Sequence, residues 1–392
     1  MRFSIPIFLI LLITSYKLSY AQFEKENQPK LVIGIVVDQM RYDYLSRFYQ
    51  DYSEEGFKKL MQNGFYHKNA HFNYVPTYTG PGHAAVHTGT TPANNGIIGN
   101  GWFDRDTGKG VYCVGDASQK GIGTLSDKAK MSPHRLLSTT MADQNRLHTQ
   151  FRGKTISVSI KDRGAILPGG HSANAAYWYE GGETGNFITS SYYVDQLPGW
   201  VENFNQSDIV EDHLKEWNTM LPIEQYDASG SGQNDFEFGF DGKKTATFPY
   251  DLQKLAKKNG NFDILKSTPY GNDIVADFAK KAIKGEKLGK DKDTDFLLIS
   301  FSSTDYAGHN FGVNSKEIHD MYVRLDRKLA EFITYLENEI GEDQFTLFLT
   351  ADHGAVHVPN YLISKKIRAG YFDTKKLESK IESYLKGHLN ED

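Results

Sequence analysis

Lys30–Val37 reads KLVIGIVV and runs directly into Asp38. The run is apolar and β-branched with no polar alternation, so both of its faces are buried, as in a central parallel strand. Three later runs have the same form. Thr155–Ile160 (TISVSI) ends at Lys161-Asp162-Arg163, Asp295–Phe301 (DFLLISF) ends near Asp305, and Gln344–Leu349 (QFTLFL) ends near Asp352-His353. Helical patterns lie between them, most plainly Lys316–Ile340, where Ile318, Met321, Leu325, Leu329, Phe332, Leu336 and Ile340 recur at helical spacing. Strands alternating with helices predict an α/β layered fold with a mostly parallel central sheet. Ligands of such sheets bind beyond the carboxyl ends of the strands, and all four runs place charged residues there.

The smaller elements follow from the same reading. Phe57–Gln62 reads as a short helix and Gly64–Phe72 as a loop or an edge strand. Thr374–Leu385 reads as an amphipathic helix with Leu377, Ile381 and Leu385 on one face. Roughly 170–267 is rich in Gly, Asn, Tyr and Trp with weak periodicity, and is expected to form an inserted cap over the sheet edge within one catalytic domain, 22–392.

The first residues set the compartment. Arg2, the apolar run Ile5–Ile13 and the small residues of Ser19-Tyr20-Ala21 read as a secretory signal peptide, 1–21, cut after Ala21. The run is short for a membrane span. The expectation is an exported protein, periplasmic or secreted, with no membrane association after cleavage. The formal charge is −5, which gives no basic surface for nucleic acid. One cysteine, Cys113, excludes an internal disulfide framework. Its expected role is a small packed side chain.

Asn73–Gly101, NYVPTYTGPGHAAVHTGTTPANNGIIGNG, carries the reactive candidate. Thr79 stands immediately before Gly80-Pro81-Gly82 and a helix-compatible run, His83–His87. Ser or Thr followed by Pro marks a helix start. A hydroxyl there faces unpaired N–H groups and the positive end of the helix dipole, which favours an alkoxide and phosphoryl oxygens. Taken alone, Thr79 reads as an ordinary N-cap; the residues at the other strand ends change that.

The strand-end residues supply metal-ligand chemistry. Asp305 and His309 lie four apart, Asp352 and His353 are adjacent, and Asp38 adds a carboxylate. Mixed Asp/His donors suit zinc. Two such groups suggest a two-metal site with ions about 4 Å apart. Lys161 and Arg163, two apart at a strand end, offer a point charge and a planar fork to phosphoryl oxygens, and Asn100 offers a neutral donor.

These residues resemble the metal and nucleophile motifs of the alkaline phosphatase superfamily. The wording VDQMR around Asp38, PTYTGPGHAAVHTG around Thr79, SIKDRGAILPGGH around Lys161 and TADHGAVHVP around Asp352 resembles its PafA-type, threonine-nucleophile branch. The resemblance implies a three-layer α/β/α sandwich and a zinc-dependent phosphomonoesterase working through a phospho-threonine intermediate. It implies Thr79 as nucleophile and as ligand of one zinc with Asp38, Asp352 and His353, and Asp305 with His309 on the other. Asn100, Lys161 and Arg163 would contact the phosphate of small monoester substrates. Diester-preferring relatives lack the Lys/Arg clamp, so its presence points to monoesters.

The resemblance also implies a further histidine on the second zinc, well beyond the Asp-His-Gly motif. Only His357 and His388 follow His353, neither in that context, so the chain is expected to be truncated at its C-terminal side. Two alternatives stand beside the monoesterase: a phosphodiesterase of the same superfamily, and a shortened, catalytically weak phosphate-binding homologue.

Overall fold

In the computed structural model, residues 28–230 and 236–389 are described. The expected signal peptide, 1–21, lies outside them. Seven strands form one sheet: β1 (Leu31–Val37), β2 (Gly121–Ile122), β3 (Thr155–Ser159), β4 (Ala175–Gly181), β5 (Asn186–Ser190), β6 (Asp295–Phe301) and β7 (Phe345–Thr350). Their order is β7-β1-β6-β3-β4-β5-β2. The pairs β1–β6, β1–β7, β6–β3 and β3–β4 are parallel; β4–β5 and β5–β2 are antiparallel. The register sets Ile33 against Leu297 and Val37 against Phe301, so the carboxyl ends of β1 and β6 finish level.

Both faces are covered because alternate residues of the same strands enter different cores. Leu31, Ile33, Ile35 and Val37 of β1 and Leu297, Ile299 and Phe301 of β6 pack with α3 (Pro269–Glu286), α4 (Ser303–Phe311) and α5 (Lys316–Glu339). On the opposite face, Ala84 of α1 (Thr79–Thr88) packs with Ala165–Leu167 of α2 (Asp162–Gly169) and with Ala176 and Trp178 of β4. Gly34 faces the same side, where a Cβ would sit 2.5 Å from the Phe348 ring. The result is the expected three-layer α/β/α sandwich.

Two helix starts follow capping chemistry. Ser315 caps α5 by accepting from Ile318 N–H, and Pro269 opens α3 at its first position, where its missing N–H costs nothing. The C-terminal helix α6 (Thr374–Leu389) leaves Leu377, Ile381 and Leu385 exposed. Gly64–Phe72 is loop, not strand. Cys113 is buried without a disulfide partner, and burial pushes its thiol up to about 12.

One boundary needs correction. The stretch expected to begin a cap at about 170 opens with β4 and β5, both members of the central sheet. Their aromatic and Gly-rich wording, AAYWYEG and NFITS, hides strands buried on both faces. From Gly199 onward the stretch does consist of short helical turns and the pair Glu216–Trp217 with Tyr250–Asp251. Trp217 and Tyr250 there are buried in the same core as α5, and Tyr226 is buried as well.

Candidate active site

The carboxyl ends of β1, β3, β6 and β7 lie next to one another in the sheet, and each delivers a polar residue to one place. Asp38 follows β1 directly. Gln39, next in the chain, has φ +65°, a conformation uncommon outside glycine. That turn aims its backbone N–H at Asp352 Oδ1 (3.1 Å) and its side-chain amide at Asp305 Oδ1 (2.8 Å). Gly308 makes room for it, since a Cβ there would lie 1.8 Å from Gln39 Oε1. Gln39 thus ties three strand ends together, a role sequence reading missed, although it stands within the VDQMR wording.

Lys161 lies at the centre. Its ammonium is 2.8 Å from Asp38 Oδ2, 2.5 Å from Asp305 Oδ2 and 3.3 Å from Thr79 Oγ1. Its side chain is 2% exposed. Burial alone would lower the pKa of this amine, but the Asp38 and Asp305 carboxylates more than offset that and hold it above its usual value. Asp38 moves the other way. Burial opposes its ionisation, yet Lys161 and His353 hold the carboxyl well below the usual range. Lys161 stands at the N-cap position of α2, without a side-chain capping bond, rather than ending a strand, and Arg163 sits in the first turn of that helix. The expected geometry, two residues on one side of a strand end, is therefore replaced by a helix start.

Arg163 is held from behind. Its guanidinium donates to Tyr112 Oη (3.0 Å), and Tyr112 in turn donates to Asp162 Oδ1 (2.6 Å). Its Nε is buried with no hydrogen-bond partner among the described residues. Burial opposes its charge, but Tyr112 and Asp162 raise its pKa further still.

Thr79 is the first residue of α1, with Tyr78 at the N-cap, so it is not itself the cap. Asn100 accepts a hydrogen bond from Gly80 N–H at Oδ1 (2.7 Å). That contact fixes the amide, leaving its NH2 group for another acceptor. His83, four residues along α1 from Thr79, went unremarked in the sequence. Its ring is fully buried, with Nδ1 2.9 Å from Thr79 O and 3.2 Å from Asp352 Oδ2, and Nε2 2.8 Å from Ser300 Oγ. Its i, i+4 spacing from Thr79 was the available signal.

Asp38, Asp352 and His353 offer ligand atoms that all lie within 4.8 Å of one another. Neither carboxylate oxygen of Asp38 accepts a hydrogen bond of good geometry, and neither does Asp352 Oδ2, although all three atoms are buried. These oxygens do face cationic or imidazole groups, Lys161 Nζ 2.8 Å from Asp38 Oδ2 and His83 Nδ1 3.2 Å from Asp352 Oδ2, and buried carboxylates gathered beside an imidazole are a donor set that suits a divalent cation. His353 Nε2 stands 3.4 Å from Asp38 Oδ1 and 3.6 Å from Asp352 Oδ2. Burial would lower its pKa, but the Asp38 contact outweighs this and carries it up to about 9. Asp352 is shifted upward by burial and by the Asp38 charge.

The second group is looser. His309 Nε2 is 3.3 Å from Asp305 Oδ1, with its side chain largely exposed. His353 Nε2 is 3.9 Å from the same oxygen, so the two groups adjoin. His357 and His388 do not join them. The Asn314 amide donates to His357 Nδ1 (2.8 Å), and His388 stacks on Tyr384 in α6.

The chain is similar to proteins of known family. Residues 32–387 match the family described as type I phosphodiesterase / nucleotide pyrophosphatase. The chain is 50% identical over 365 residues to a calcium-transporting ATPase of Myroides odoratus, covering 92% of this chain and 66% of that one. It is 51% identical over 339 residues to the alkaline phosphatase PhoV of Synechococcus elongatus, covering 86% and 61%. The crystal structure of alkaline phosphatase PafA superposes with a TM-score of 0.89 at 44% identity, covering 93% of this chain and 70% of that one. The chain thus spans 66% and 61% of the length of these two curated relatives.

Proposed function

Since the chain belongs to the type I phosphodiesterase / nucleotide pyrophosphatase family, and within the alkaline phosphatase superfamily to the PafA type, we propose that it is an exported phosphomonoesterase with Thr79 as its nucleophile. The observation that carries this is one ammonium touching three groups. Lys161 Nζ reaches Thr79 Oγ1, Asp38 Oδ2 and Asp305 Oδ2 at 3.3, 2.8 and 2.5 Å. A hydroxyl at a helix start, two ligand carboxylates and a phosphate-binding cation therefore converge on one point.

Thr79, its proton passed to solvent, attacks phosphorus in line; the P–O bond to the ester oxygen breaks, that oxygen takes a proton from water and leaves as the alcohol, and a second water then cleaves the phospho-threonine P–O bond at the same site, releasing phosphate and restoring the hydroxyl. Zinc held by Asp38, Asp352 and His353, and by Asp305 and His309, would supply the positive charge that lowers the hydroxyl pKa and steadies the leaving oxygen. Lys161, beside the Thr79 hydroxyl, stabilises the alkoxide as its proton departs. The N-terminus of α1 adds its dipole to the same effect. The Asn100 NH2, oriented by Gly80, donates to one phosphoryl oxygen. Arg163, braced by Tyr112, presents donors to another. His83 braces the back of the site between the Thr79 carbonyl and Asp352.

The family's name favours a second reading, hydrolysis of diesters. Lys161 and Arg163 weigh against it, because a monoester transition state carries more charge on its non-bridging oxygens. The test is hydrolysis of an aryl phosphate monoester and an aryl methyl diester by the zinc-loaded chain, repeated after chelation and with Thr79→Ala. Faster turnover of the monoester, lost in both controls, is expected. Undiminished turnover by Thr79→Ala would remove the threonine from its role, and diester preference would hand the assignment to the second reading.

Export rests on the reading of 1–21. Among the described residues no helix is long and apolar enough to cross a membrane. The region from Gly199 to Ser267 is proposed as a cap that belongs to the catalytic domain.

A further inference from the structure

Beside His309 lies an open cavity of about 350 Å³. Two residues of α4 belong to both it and the site described above. The Tyr306 ring lines the cavity and carries Lys161 Nζ 5.3 Å from its centroid. His309 lines it too, 3.3 Å from Asp305. The rest of the wall includes Phe240, Asp241, Lys258, Asp263, Ser267 and Asn310.

The loop carrying Asp241 is tied down at two places. Asn259 spends its whole amide on the backbone: Oδ1 accepts from Asp241 N–H (2.9 Å), and Nδ2 donates to Asp241 O (2.9 Å) and Leu255 O (2.8 Å). That clamp fixes the loop carrying Asp241 while leaving the Asp241 carboxylate outward. Phe238 N–H donates to Asn310 O (2.9 Å), fastening the same loop to α4. Phe240 is anchored edge-on against Tyr250 and Phe311.

Charge in the cavity nearly cancels. Lys266 neutralises Asp263 at 2.5 Å. Asp241 and Lys258 are of opposite sign, and among the described residues Lys258 has no ion-pair partner. A leaving group with a second phosphate gains nothing from such a wall. What is on offer is an acceptor in Asp241, donors in Lys258 and Asn310, a Ser267 hydroxyl that can do both, and an aromatic flank in Tyr306. Hydroxyl groups both donate and accept, and a ring of them presents an apolar face to an aromatic side chain. The volume falls in the range of small-molecule sites.

We propose that this cavity receives the departing alcohol and favours neutral polyhydroxylated ones, so that sugar monophosphates are preferred substrates. The inference rests on the monoesterase reading of Thr79, since it assigns the leaving group to the side of the site where Asp305 and His309 stand.

The test compares kcat/KM for a hexose monophosphate with that for an aryl phosphate, in the zinc-loaded chain and in Asp241→Ala and Lys258→Ala. Both residues are exposed at the surface, so the variants fold. The hexose-to-aryl ratio is expected to fall about tenfold in Asp241→Ala, the scale of one lost hydrogen bond to a charged group. Binding of methyl glucoside, which carries no phosphate, is followed in parallel by ligand-observed NMR and is expected to weaken in the same variant. Turnover of the aryl ester with an unchanged ratio would overturn the cavity's role and leave the monoesterase standing. Preference for a hexose bisphosphate over the monophosphate would overturn its neutrality. If neither ester is hydrolysed, the monoesterase reading fails. Glucoside binding then decides alone: loss in Asp241→Ala supports the cavity, and no binding to the parent chain refutes it.

Discussion

Gly82 and Asp352 touch backbone to backbone: a Cβ on Gly82 would lie 2.3 Å from the Asp352 carbonyl oxygen and 2.7 Å from its Cβ. Helix α1 therefore packs directly against the turn that carries Asp352 and His353, and Thr79 is held in place by that contact as much as by its own helix. Gly82→Ala separates the two views of a helical glycine. Helix propensity alone would make alanine stabilising by about 1 kcal/mol. The contact predicts the opposite sign, a loss of about 1–3 kcal/mol from overpacking, with weaker zinc retention because Asp352 is pushed out of line. Urea unfolding and equilibrium dialysis against zinc measure the two effects. A more stable variant with normal zinc content would show that the contact is slack.

On the proposed monoesterase reading Lys161 and Arg163 would favour monoesters, so their removal should be selective. Each donor aimed at transition-state charge is worth roughly 10²–10³ in rate. Lys161→Ala/Arg163→Ala is therefore expected to lower monoester kcat/KM by at least 10²-fold while lowering diester kcat/KM far less, which narrows or inverts the preference. Paired measurements on one preparation avoid differences in metal loading. Equal losses on both substrates would mean that the clamp serves structure rather than discrimination. Lys161 alone will be the harder variant to interpret, because it also separates Asp38 from Asp305.

Asp320 of α5 holds the stretch after Gly199 to the core. Its carboxylate accepts from Trp217 Nε1 (2.7 Å), Tyr226 Oη (2.6 Å), Met220 N–H (2.7 Å) and Arg324 Nε (2.7 Å). The residue is wholly buried. Asp320→Ala leaves four donors facing a void and is expected to cost about 3–5 kcal/mol, the scale of removing one partner from a buried charged network. Trp217 fluorescence should report the loosening at lower denaturant than the global transition. A single unshifted transition would mean that the stretch is held by its apolar contacts alone.

Much of this was legible in the primary sequence, and the reasons for the failures are specific. KLVIGIVV and DFLLISF announce themselves because central parallel strands are apolar on both faces, and their last residues point to the site. AAYWYEG is equally buried, but its aromatics and flanking glycines resemble a loop-rich insertion, and nothing local says that Ala175 pairs with Ile156. Gln39 escaped notice because its importance comes from a left-handed backbone turn that lets one residue bond to two other strand ends. Propensity for glutamine does not predict such a turn. The candidate ligand residues were visible by type and spacing, whereas the bracing of Arg163 by Tyr112 joins positions 51 apart.

Glu317 gives a pH dependence that can be separated from catalysis. Its carboxyl is 2% exposed and accepts from Tyr250 Oη at 2.7 Å. Burial, helped by the nearby charges of Glu237 and Asp320, pushes its pKa from 4.5 up to about 8. Between these values the folded chain keeps a proton that the unfolded chain has released. The slope of unfolding free energy with pH follows protons bound in the unfolded state minus those in the native state, so here it is negative. The contribution of the protonated carboxyl is complete below pH 4.5, declines as pH rises, and is gone once pH passes about 8. Glu317→Gln keeps the acceptor for Tyr250 and cannot ionise. It is expected to match the parent near the lower end of this window and to exceed it at pH 9 by up to about 5 kcal/mol, taking about 1.4 kcal/mol per pH unit. Urea unfolding of both chains across that range provides the measurement. Parallel curves would show that Glu317 is already ionised in the fold, with water or a cation compensating its burial. Divergence that begins near pH 4.5 and levels off near 8 fits the window described, while divergence that continues past 8 would place the folded pKa higher still.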